Sequence, residues 1–147
     1  MQGLSRRLAT AGDLLAVKSR DEAQSLEERM VPFIKAAWSV VVPNKPYIHG
    51  YHIDAMADHL EAALRFEIKT LIINVPPGFA KSTVCSIMWP AFAWAVNPSL
   101  AFMFTSYHEK LSTRDSVSTR DLVSSPWYQS LWGHRVRLKD DQNEKKR

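Results

Sequence analysis

The residues best equipped for chemistry lie together in one run, Val75-Pro76-Pro77-Gly78-Phe79-Ala80-Lys81-Ser82-Thr83. A glycine-bearing loop that passes into Lys-Ser-Thr at the start of a helix has the parts needed to hold a nucleotide's phosphates. Consecutive backbone N–H groups point at the anion, the lysine reaches the β and γ phosphates, and the hydroxyl ligates Mg²⁺. On this reading Pro77, Gly78, Phe79 and Ala80 shape an ATP-binding loop and Lys81 is the catalytic cation. Ser82 holds Mg²⁺ through the nucleotide and Thr83 bonds the α-phosphate. Measured against G-x-x-x-x-G-K-S/T, both glycines are replaced, the first by Val75 and the second by Ala80. Alanine does not take a positive φ as cheaply as glycine, so the loop must differ slightly or Gly78 must supply the flexible point. The competing reading is an ordinary strand-to-helix turn with a chance Lys-Ser-Thr.

Such a loop needs a strand before it and a helix after it. Leu71-Ile72-Ile73-Asn74-Val75 is a short, β-branched apolar run ended by Pro76-Pro77, which predicts a buried strand. Lys81 to Val96 predicts a helix, kinked near Pro90. A second strand is expected over Ala101 to Thr105, then a helix from about Glu109 to Val123 that stops before Ser125-Pro126. This order implies a right-handed crossover and a parallel sheet flanked by helices, an α/β fold. Upstream, Leu14, Leu15, Val17, Leu26 and Met30 recur among charges as one peripheral amphipathic helix or two short ones. Pro32 can open a helix over Phe33 to Val41, and Pro43-Asn44-Lys45-Pro46 forces a loop. A third helix should run from about Tyr51 to Phe66, with Ile53, Met56, Ala57, Leu60, Ala63 and Leu64 as its apolar stripe and Asp54, Asp58 and Glu61 mostly on the other face. The chain therefore divides into a helical segment over residues 1–31 and a nucleotide-binding part over residues 32–147.

With 46% hydrophobic and 23% charged residues, the chain can bury a core and is not disordered as a whole. The net charge of +4 is compatible with a polyanionic partner without demanding one. A single cysteine, Cys85, excludes an internal disulfide and fits a reducing cytoplasm. No apolar run approaches the roughly 18 residues that span a bilayer, and the N-terminus, with Arg6, Arg7 and Asp13, has no signal-peptide core.

Other residues carry weaker chemistry. His49, His52 and Asp54 are close enough to suggest metal ligands, but no second cluster completes a site. Arg114 and Arg120, on different faces of one helix, are candidates for an arginine finger on a neighbouring subunit's nucleotide, against simple pairing with Asp115 and Asp121. Trp89, Phe92, Trp94, Phe102 and Phe104 could form a base-stacking platform, but their placement favours core packing. Trp127, Tyr128 and Trp132 follow Pro126 in a loop-like region and either cover a core edge or meet another domain. The mixed-charge tail from Lys139 to Arg147 reads as a solvated segment, against contact with nucleic-acid phosphates.

Val75 to Ser82 resembles the variant Walker A loop of tailed-phage terminase large subunits. The likeness extends through Trp89-Pro90-Ala91-Phe92, Thr105-Ser106-Tyr107, Arg114-Asp115-Ser116, Ser125-Pro126-Trp127-Tyr128-Gln129, Trp132-Gly133 and Asp141-Gln142-Asn143, and covers the chain from about Phe33 onward. The resemblance implies an ATPase of the additional-strand P-loop type, followed in the whole protein by an RNase H-like nuclease. It implies ATP and Mg²⁺ as cofactors, and double-stranded DNA, a portal protein and a terminase small subunit as partners. It further implies a homo-oligomeric ring in the host cytoplasm, docked transiently at the procapsid portal. It places an adenine contact at Tyr51 or His52. Many members of that family carry an arginine where Gly78 stands, so that role falls elsewhere here or is lost.

No apolar strand ending in paired acids follows the second predicted strand, and Asp140 and Asp141 come after the charged alternation Val136-Arg137-Leu138-Lys139. The chain is therefore expected to be the front part of a longer protein, binding ATP but turning it over negligibly by itself. The rivals are a non-catalytic prophage remnant and a helicase-like or kinase-like P-loop enzyme, the latter disfavoured by the Ser-Pro-Trp-Tyr-Gln and aromatic elements.

Overall fold

A computed structural model describes residues 11–138, with side chains from Leu15 onward. Within them the chain forms six α-helices: α1 (Ala11–Glu28), α2 (Met30–Val41), α3 (Tyr51–Leu64), α4 (Trp89–Val96), α5 (Glu109–Ser124) and α6 (Pro126–Trp132). A π-helical segment, Thr83–Met88, leads directly into α4. Leu14, the residues before Ala11, and the tail with Asp140, Asp141 and the Asp141-Gln142-Asn143 motif lie outside what is described.

The expected parallel sheet does not form: among the described residues there is no strand and no ladder, so the α/β assignment is corrected to all-α. Residues 71–75 keep the period of an extended chain, with Leu71, Ile73 and Val75 half-buried and Ile72 and Asn74 exposed. Leu71 and Ile73 rest on the helical core, while Ile72 is 82% exposed. In residues 101–105 only Phe102 is half-buried, and Met103 is 88% exposed. A β-branched apolar run specifies an extended backbone, but a strand also needs a neighbour to exchange N–H and C=O groups with. Neither segment has one among the described residues.

The helices follow from their apolar spacing. Met30, Phe33, Ile34 and Ala37 on α2, and Ile53, Met56, Ala57 and Leu60 on α3, recur at i, i+3, i+4 and i+7 and are all buried. Phe33 sits among Phe92, Trp127 and Trp132, with ring centroids 5.5, 5.7 and 5.7 Å away. Burying such a ring contributes roughly 1.5–3 kcal/mol. Trp132 and Tyr128 are themselves fully buried, 4.8 Å apart, so α6 is part of the core. The loop-like reading of this region is thus corrected to a helix: the Ser125 hydroxyl accepts the Tyr128 N–H at 3.2 Å and Pro126 occupies the first turn.

Two polar groups fix how the helices meet. Glu61, expected on the solvent side of α3, is instead buried. Its carboxylate accepts the Met30 N–H, one of α2's unpaired first-turn donors, at 2.6 Å and pairs with Arg29 at 3.3 Å. Arg29 also meets Asp58 at 2.7 Å. On the other side of the core, Pro90 has no N–H to offer the Ser86 carbonyl four residues back. The Thr119 hydroxyl of α5 lies 3.1 Å from that oxygen and 2.9 Å from the Asp115 carbonyl, and shares its proton between them.

Candidate functional site

The loop at residues 76–80 is a turn built by its sequence. Phe79 N–H reaches the Pro76 carbonyl at 3.4 Å across Pro77 and Gly78, and Gly78 has φ +90°. Proline followed by a left-handed glycine is the type II pattern, in which a side chain at the second central position would be strained. Ala80 then takes φ +57°, a left-handed conformation that a glycine would take at less cost. Its carbonyl accepts the Val84 N–H at 2.9 Å, the first bond of the helix, which leaves the Lys81, Ser82 and Thr83 amides ahead of the helical ladder. Lys81 and Ser82 are exposed and Thr83 is half-buried.

The loop therefore presents left-handed residues, free first-turn amides and a lysine at one point. That arrangement concentrates positive potential and suits an anion with several oxygens. Behind it, the half-buried Cys85 packs against the core, and burial pushes its thiol up to about 11 although the Lys81 ammonium opposes the shift. A thiol so disfavoured as thiolate is a packing residue and not a nucleophile at neutral pH.

Beside the loop, α3 and residues 71–76 enclose an open cleft of about 430 Å³, lined by His52, Met56, His59, Leu71, Ile73 and Phe79 among others. His52 joins the cleft to the loop: its ring stands edge-on to Phe79, centroids 5.1 Å apart at 76°. Gly50 makes room for this, since a Cβ there would come within 2.7 Å of the His52 ring. Tyr51 is almost fully exposed at the rim and contacts the His52 ring at 6.1 Å.

The remaining candidates lie elsewhere. Arg114, on the exposed side of α5, pairs with Asp115 at 2.8 Å. Arg120 is half-buried on the same helix, which packs on the π-helical segment through Thr119. His49 and Asp54 bond one another at 2.9 Å, and the other His49 nitrogen meets the Tyr47 hydroxyl at 2.8 Å, so both ring nitrogens are engaged within the protein. Phe92 is buried in the core, and Trp89 and Trp94 hold Phe102 at 5.3 and 5.7 Å. Sequence reasoning missed the cleft's far wall, because Met56, Leu71 and Ile73 read as plain apolar positions and only the fold brings them to one surface. No helix among the described residues is long and apolar enough to cross a membrane. No protein-family model, curated protein or solved structure matches the chain.

Proposed function

We propose that the chain binds Mg-ATP through Pro77 to Thr83 and serves as the nucleotide-binding part of a tailed-phage terminase large subunit, the ATP-driven DNA-packaging motor. The observation that carries the reading is the turn at Gly78 and Ala80, which delivers the chain into a helix whose first residues are Lys81 and Ser82. Lys81 would reach the β and γ phosphates, the Ser82 hydroxyl would take a place on Mg²⁺, and the Thr83 hydroxyl and amide would meet the α-phosphate. The adenine would enter the cleft against His52, and the contact of that ring with Phe79 supports a base subsite next to the phosphates. In this proposal the partners are double-stranded DNA, a portal protein and a small subunit. The setting is the host cytoplasm, with other copies of the chain arranged in a ring.

The reading is tested by the heat stability of the purified chain with and without Mg-ATP. Wild type should be protected, because a ligand that binds only the folded state stabilises it by roughly 2.7 kcal/mol at a hundredfold excess over Kd. Lys81→Ala should fold equally well and lose that protection. Equal protection of both proteins would sink the assignment of the loop.

A further inference from the structure

We infer a second binding site, remote in sequence from the loop, that takes one nucleotide of a single-stranded nucleic acid. The last turns of α2 and the loop after it enclose an open cleft of about 390 Å³. Trp38 and Tyr47 form its aromatic wall and Lys35 and Lys45 flank it, while none of its lining residues is acidic. Its volume falls in the range of small-ligand sites, roughly 300–1,000 Å³.

The wall is held in place before any ligand arrives. Trp38 donates its indole N–H to the Lys45 carbonyl at 2.9 Å, which pulls the loop onto α2. The Tyr47 ring stands edge-on to Trp38 at 5.4 Å, and its hydroxyl bonds His49, which is held in turn by Asp54. Asp54, the nearest acid in this chain of contacts, is hydrogen-bonded to His49. Both rings are half-buried against the core, and both lysines are exposed and enter no ion pair with another described residue.

A pinned aromatic surface between two exposed cations matches the alternation of base and phosphate along a single strand. Base–aromatic stacking tolerates any sequence, and each lysine neutralises one phosphate. A duplex does not fit this chemistry, because its bases are already stacked on each other and only its phosphates could touch the lysines. A free nucleotide shares the base and phosphate chemistry but lacks the neighbouring phosphates, so it would bind more weakly here than a strand.

The test is fluorescence anisotropy of a labelled oligothymidylate of about a dozen nucleotides, a length within single-strand site sizes. Wild type and Lys81→Ala should bind it alike, more tightly than a duplex of equal length, with affinity falling between about 50 and 200 mM salt. Lys35→Glu combined with Lys45→Glu, both surface changes, should weaken binding at least about tenfold and flatten the salt dependence. Trp38→Leu should weaken the single strand alone; if that variant fails to fold, the charge variant decides. The proposal is overturned by no binding at low salt, by equal binding of the charge variant, or by a duplex bound as tightly. It is equally overturned if ATP displaces the oligonucleotide from wild type but not from Lys81→Ala, which would put the strand on the phosphate loop.

Discussion

Gly78 and Ala80 both take left-handed backbone conformations, and only the first has the residue suited to it. For an L-residue with a Cβ that conformation costs roughly 1–2 kcal/mol, part of which a glycine would give back through its looser unfolded chain. Ala80→Gly is therefore expected to raise stability by about 0.5–1 kcal/mol, read from urea unfolding. A loss of stability would mean that the Ala80 methyl, which rests on the core, outweighs the strain. Cys85 makes a second prediction at this scale. Its folded thiol titrates near 11 against an ordinary value of 9.0, so the unfolded chain ionises first as pH rises. The stability this contributes is complete below about pH 9 and is lost as pH climbs through 11. Burial raises the Tyr128 hydroxyl as well, in the same direction. Unfolding midpoints should thus fall from pH 9 to 11 in wild type and fall less steeply in Cys85→Ala; equal slopes would remove the thiol from the account.

Among the elements, α3 closes on a motif whose residue is again not glycine. Phe66, at φ +61°, sends its N–H to the Ala63 carbonyl at 3.0 Å, while Glu67 N–H reaches Ala62 at 2.9 Å. This is the Schellman arrangement that glycine usually completes. Because Phe66 is 76% exposed, Phe66→Gly should stabilise the fold by about 1 kcal/mol, measurable as a higher thermal midpoint. An unchanged or lower midpoint would show that the exposed ring compensates for its backbone. Most of the helices were legible because their signal is local: α2 and α3 show stripes and α4 carries Pro90 in its first turn, whereas α6 read as a loop because it is only seven residues long. The strands were misread because Leu71 to Val75 declares only an extended backbone, whereas a sheet is a property of at least two segments. Glu61 was misplaced for a related reason. A carboxylate on a helix face reads as solvated unless one knows that the unpaired Met30 amide of another helix lies against it. The loop's turn was legible from Pro77 and Gly78, but the cleft beside it depends on α3 packing against residues 71–76 and could not be read one element at a time.

At the scale of the molecule, the helices converge on Phe33 and leave the loop, His52 and the adjoining cleft on the outside of that core. The loop at residues 76–80 lies between an extended segment whose Leu71 and Ile73 rest on the core and the helix that leads into α4. The buried face of that helix, with Val84, Ile87 and Met88, anchors the first turn whose amides would meet the phosphates. A core of this kind can hold a nucleotide site without itself taking part in the chemistry. The central claim is that the turn at Gly78 and Ala80 grips phosphate, and the most direct measurement is a ¹H–¹⁵N spectrum of the labelled chain titrated with Mg-ATP. The account predicts that the amides of Gly78 through Thr83 shift first and furthest, with His52 following. Unmoved amides in that stretch at saturating nucleotide, or shifts confined to another face, would contradict it.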